Sequence, residues 1–146
     1  MKTIFNEADK NEILQRIEKL TPESKALWGK MNVSQMLAHC AKGIEMATGE
    51  LKTKSSPMQF IGRRIKKKVI YSNDPFRKNS PTAQELTIAD PQEFSQGKVN
   101  FIATIKKLTS ETTKAEKHPF FGKMTSEEWG IINYKHADHH LRQFGV

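Results

Sequence analysis

A chain of 146 residues suits one hydrophobic core, and we expect a single domain over residues 1–146. With 36% apolar and 27% charged residues it is not a disordered chain, and no apolar run approaches the roughly 20 residues that span a bilayer, so no membrane partner is expected. A net charge of +8 raises nucleic acid, anionic membrane or an acidic ligand as partner classes, but the lysines are spread along the chain and only Arg63-Arg64-Ile65-Lys66-Lys67-Lys68 forms a cluster.

The opening stretch, Met1-Lys2-Thr3-Ile4-Phe5-Asn6-Glu7, lacks the apolar region of a secretory signal. Cys40 is the only cysteine, so no internal disulfide forms and a cytoplasmic location is expected. Asn6 followed by Asp9 is a capping-box signal, and Ile13, Ile17 and Leu20 continue it as a helical stripe. Thr21-Pro22-Glu23 reads as the start of a short second helical segment ending near Trp28-Gly29. Asn32 caps the next helix, Val33 to Thr48, with Val33, Leu37, Cys40, Ile44 and Ala47 in one sector and Gly49 as stop. Ser56-Pro57 opens another, with Met58, Ile61, Ile65 and Val69 on its expected inner face and Asn73-Asp74-Pro75 at its end.

Residues 72–90 form a long connection that Phe76, Leu86 and Ile88 are placed to pin. Asp90-Pro91 is a cap-plus-proline start leading to Phe94, Phe101, Ile105 and Leu108. After His118-Pro119-Phe120-Phe121-Gly122, a capping box of Thr125 and Glu128 opens a last helix running to about Phe144. Strand signals are almost absent. Long helices with one or two short ones give an all-α bundle as the expected fold.

Five histidines are present: His39, His118, His136, His139 and His140. With Trp129 set at zero and about 100° per residue, Ile132 falls near 300°, His136 near 340°, His140 near 20° and Gln143 near 320°. His136 and His140 therefore share the inner face one turn apart, close enough for both imidazoles to reach one metal ion. Two histidines on one apolar stripe also fit a core in which each is hydrogen-bonded. His139 lies on the flank and Asp138 on the opposite side. His39 lies at the edge of its helix's apolar sector, on the side of Met36, Gly43 and Met46, with Gly43 leaving room. Taken by itself, it reads first as a boundary histidine facing water and only second as a ligand.

The stretch Trp28 to His39, with Leu37-Ala38-His39 at its end, resembles the opening helix of the DinB-like superfamily, which includes the YfiT-like metal-dependent hydrolases. The ending His136-Ala137-Asp138-His139-His140-Leu141-Arg142-Gln143 is similar to that family's closing motif His-x-x-x-His-x-x-Gln. His118-Pro119-Phe120-Phe121-Gly122 with Glu128-Trp129 looks like the approach to this helix in an uncharacterised DinB-related branch. The resemblance runs from about residue 7 to residue 145. It implies a four-helix bundle, often a homodimer, with three histidines on a divalent metal such as zinc or nickel. Matched by motif, the implied ligands are His39, His136 and His140. His139 departs from the pattern and leaves an alternative pair with His136.

Three imidazoles leave a divalent metal with open positions, the mark of a catalytic site. The expected function is a metalloenzyme activating water or a thiol, of hydrolase or thiol-transferase type, on an unknown small-molecule substrate. No carboxylate sits on the ligand face to serve as general base. His118, on a loop with its backbone restricted by Pro119, is the acid/base candidate. Gln143, with His139, is a candidate for orienting a ligand or water. Cys40 points into the core. The competing readings are a basic nucleic-acid or protein binding module, although no nucleic-acid-binding motif accompanies the cluster at 63–68, and an inert bundle with structural histidines.

Overall fold

In the computed structural model, which describes residues 1–146, the first helix is α1, Glu7–Glu18. Asn6 caps it through Oδ1, which accepts from Asp9 N at 3.1 Å. The box does not close, because the Asp9 carboxylate accepts from Thr3 N instead. Ile13 and Ile17 are fully buried, and Leu20 is buried beyond the helix end.

The expected helical segment from Thr21 does not form; residues 21–32 carry only turns and bends. Thr21 and Ser24 close one turn, then Leu27 N donates to Gln143 O at 2.7 Å and Trp28 O accepts from Gln143 Nε2 at 2.6 Å. These distant partners hold the stretch across the end of the last helix, and local helix propensity gives way to them. Gly29 turns the chain at φ +81, where a Cβ would stand 2.6 Å from Gln143 Nε2.

α2, Val33–Thr48, matches expectation residue for residue. Asn32 and Gln35 close a reciprocal capping box at 2.8 and 3.0 Å, and Gly49 ends the helix in the left-handed region at φ +82. The expected stripe is buried, and so are Met36, His39, Gly43 and Met46 beside it.

α3, Gln59–Tyr71, forms where expected but turns a different face inward. Gly62 and Ile70 are its buried residues, whereas Met58 is 50% and Ile65 38% exposed. Gly62 decides this orientation: its missing side chain lets Phe120 O approach to where a Cβ would be 2.1 Å away. Lys66, on the same side, bonds Glu128 and Lys123 O.

The connection 72–90 holds one 3₁₀ turn, Gln84–Leu86, against α2, with Leu86 buried and Gln35 Nε2 donating to Ile88 O. α4, Phe94–Lys107, starts later than Asp90-Pro91 suggests, because the Glu93 carboxylate caps it by accepting from Ser95 N and Gln96 N. Two short strands, β1 (Lys117–His118) and β2 (Gly122–Lys123), pair antiparallel around the His118–Gly122 motif, a hairpin that a scan for strand runs overlooks. Gly122 makes it possible with φ +72. α5, Ser126–Gln143, opens on the expected Thr125–Glu128 capping box.

α2 packs on α4 and α5, α1 packs on the same two helices, and α3 lies against α5 and β2. Twenty-six buried apolar residues form one cluster among them. Each fully buried Ile or Leu in it contributes about 1.5–3 kcal/mol. No helix is long and apolar enough to cross a membrane.

Candidate metal centre

His39 comes from the middle of α2, and His136 and His140 from two successive turns of α5. Their ring centroids form a nearly equilateral triangle with sides of 4.7, 4.8 and 4.8 Å. One ring nitrogen from each lies within 4.8 Å of the other two, and His39 Nε2 stands 2.9 Å from His136 Nε2. Gly43 makes the approach of the two helices possible: a Cβ there would stand 3.0 Å from His136 Nδ1.

Carbonyl groups fix two of the three tautomers. His39 Nδ1 lies 2.9 Å from Leu86 O, which can only accept, so Nδ1 carries the proton and Nε2 keeps its lone pair. Gln143 Nε2 donates to Trp28 O, which turns Gln143 Oε1 toward His140 Nδ1 at 2.8 Å. That nitrogen must then donate, which frees His140 Nε2 as well. His39 Nε2 faces His136 Nε2 as a lone pair, so the gap between them holds either the His136 proton or a cation.

Burial lowers the pKa of His39, with the backbone bond to Leu86 opposing and the neighbouring His139 and Lys42 adding to the fall. Burial, then the charges of His140 and His39, takes His136 well below the usual imidazole value. Burial brings His140 down to about 3. All three are neutral at pH 7, the form in which imidazole ligates metal. No carboxylate bonds any of the three. Asp138 points away, held by Arg16 at 2.7 Å and Arg142 at 2.9 Å.

The donor set fits a divalent ion. Two nitrogens bound at roughly 2.0–2.1 Å stand at most about 4.2 Å apart. The His39–His136 pair is inside that limit, and the widest spacing in the trio, 4.8 Å at most, needs only a small ring rotation. Ligating histidines held at the second nitrogen by an oxygen acceptor are the usual arrangement around protein-bound metals. Here Leu86 O and Gln143 Oε1 supply it.

His139 stands outside the trio, its ring between Trp28 at 5.7 Å and Phe76 at 6.0 Å. His118 is not one of the trio: its ring packs on Phe121 and Trp129, and its Nδ1 accepts from Phe120 N and Phe121 N at 3.0 and 3.2 Å. Burial brings its pKa down to about 4. Cys40 lies in the core, its Sγ 3.7 Å from Met36 Sδ, with burial pushing the thiol pKa up. The two carbonyls that set the tautomers, Leu86 and Trp28, carry no mark in the sequence because any residue offers one. Lys42, one turn after His39, ties the Leu86 turn down through Glu85 O at 3.2 Å.

No curated protein and no solved structure matches this chain. A family profile described as "Protein of unknown function (DUF1569)" matches residues 4–145. The chain belongs to that family.

Proposed function

We propose that the chain is a metalloenzyme of the DinB-like kind, with α1, α2, α4 and α5 as its four-helix bundle and α3 as a flanking helix. One observation carries the reading: three neutral imidazoles from two helices converge, and carbonyl or amide oxygens orient two of them so that Nε2 faces inward. His39, His136 and His140 are the proposed ligands, and zinc or nickel suits an all-imidazole set. Such an ion supplies either a water acidified to near neutrality or a bound thiolate. The protein's own part is to hold the imidazoles deprotonated in a dry setting and to fix ring angles through Leu86 O and Gln143.

No side-chain carboxylate reaches the trio, so a base supplied by the protein would be a histidine. His139, beside His140 and partly exposed, is the nearest. An acid/base role for His118 would run through Nε2 alone, since two backbone N–H groups occupy Nδ1. A cytoplasmic location, a small-molecule substrate and a homodimer belong to the same reading.

Elemental analysis of the purified protein tests it. The expectation is one equivalent of a divalent transition metal, lost in His136→Ala and His140→Ala with helical circular dichroism retained. Protein that stays metal-free after dialysis against zinc and nickel would leave the histidines as hydrogen-bonded core residues.

A further inference from the structure

Although lysines occur throughout the chain, the surplus of positive charge does not. Between Leu51 and Asn73 there are seven cations (Lys52, Lys54, Arg63, Arg64, Lys66, Lys67 and Lys68) and no acidic residue. Removing those seven from the 24 leaves 17 cations against all 16 acids, so the rest of the molecule is nearly neutral. α3 carries most of this charge, and its inner side is taken up by Gly62, Ile70 and the Lys66–Glu128 pair.

At about 100° per residue, Lys67, Phe60, Tyr71, Arg64 and Lys68 fall within an arc of about 100° on the side away from Gly62 and Lys66. All five are exposed, Phe60 by 62% and Tyr71 by 42%. Ile65, 38% exposed, borders them. The ion pairs of the molecule leave Arg64, Lys67 and Lys68 without an acid.

We infer that the outward face of α3 docks on the surface of an anionic membrane, its cations among lipid phosphates and carboxylates and Phe60, Tyr71 and Ile65 at the headgroup boundary. Cations interleaved with exposed aromatic and aliphatic groups on one helix are what such a surface takes. No membrane span is needed. A second copy of the chain is a poor occupant, because a two-fold contact through this face would set the same cations against one another. Nucleic acid would satisfy the cations but gives Ile65 nothing apolar to cover it. This inference is independent of the metal centre.

The test is co-sedimentation of the full chain with vesicles of phosphatidylcholine alone and of phosphatidylcholine mixed with phosphatidylserine. Binding is expected only to the mixed vesicles and should weaken as salt rises. Each neutralised cation should weaken it about fivefold. The combination Arg64→Gln, Lys67→Gln and Lys68→Gln then loses on the order of a hundredfold. Lys106→Gln with Lys107→Gln, exposed on α4, should change little. Phe60→Ser with Tyr71→Ser should also weaken binding although every cation remains. All these side chains are exposed, so circular dichroism should be unchanged. Absence of binding, equal loss from the α4 pair, or indifference to the Phe60 and Tyr71 changes would each overturn the inference. So would tighter binding to a double-stranded oligonucleotide that the α3 substitutions abolish, which would reassign the face to nucleic acid.

Discussion

At the scale of single residues, the site rests on oxygens that aim imidazoles. Replacing Gln143 with Leu removes the acceptor for His140 Nδ1, and metal affinity should fall about 10–100-fold by isothermal titration. Gly43→Ala is a subtler test: the new methyl would stand 3.0 Å from His136 Nδ1 and 3.1 Å from Cε1. Alanine favours the helix by about 1 kcal/mol, which offsets part of the cost of displacing the His136 ring, so helical circular dichroism should be retained while metal affinity drops. His118 gives a pH signature. Its folded pKa of about 4 lies below the unfolded value near 6.5, so the unfolded chain takes up the proton first as pH falls. Stability is then full above about pH 6.5 and declines towards pH 4, by up to about 3 kcal/mol from this residue. His118→Asn keeps an acceptor for Phe120 N and Phe121 N without a titrating group, and denaturant midpoints measured across that range should show a shallower decline. The cluster of His136 and His140 was legible because helical spacing alone puts positions four apart on one face. The roles of Leu86 and Trp28 were not, because a carbonyl's partner is set by where a distant segment lies.

At the scale of elements, helices whose ends are written in side chains came out of the sequence with their bounds. Asn32–Gln35 with Gly49, and Thr125–Glu128, are closed by residues three apart or adjacent. Glu128 does double duty: it accepts from Thr125 N at 2.9 Å and holds Lys66 at 2.8 Å, joining α5 to α3. Thr125→Ala should cost about 1 kcal/mol. Glu128→Ala should cost more, about 3 kcal/mol, because it leaves a mostly buried ammonium with only Lys123 O and partial hydration. Urea denaturation of both variants checks the order, and equal losses would mean that the ion pair contributes nothing. The Thr21–Gly29 stretch misled because its cap and proline are genuine local signals, outweighed by bonds to Gln143. α3 misled differently: its apolar residues recur at helical spacing, but Gly62 is the residue that lets another backbone in. Its far end is held by Lys135, whose Nζ donates to Val69 O and Ser72 O at 2.7 and 2.9 Å.

At the scale of the whole molecule, metal and fold are expected to be coupled but separable. A ligand that binds only the folded state raises stability by mass action, about 2.7 kcal/mol at a hundredfold excess over its dissociation constant. Adding zinc or nickel should therefore raise the melting temperature, and a chelator should reverse the rise without unfolding the protein, since the 26-residue apolar cluster does not depend on the ion. A chelator that abolished the helical signal would make the ion structural. The sequence by itself determined the helical class, the two capped helices and the placing of His136 and His140 on one face of the last helix, because each depends on residues within one or two turns of one another. Only the tertiary structure decided that His39 completes a triangle with them and which nitrogens face inward. It also decided which side of α3 is left to solvent. Those outcomes depend on segments as far apart as Trp28 and Gln143 being packed together, and local spacing carries no information about how such segments meet.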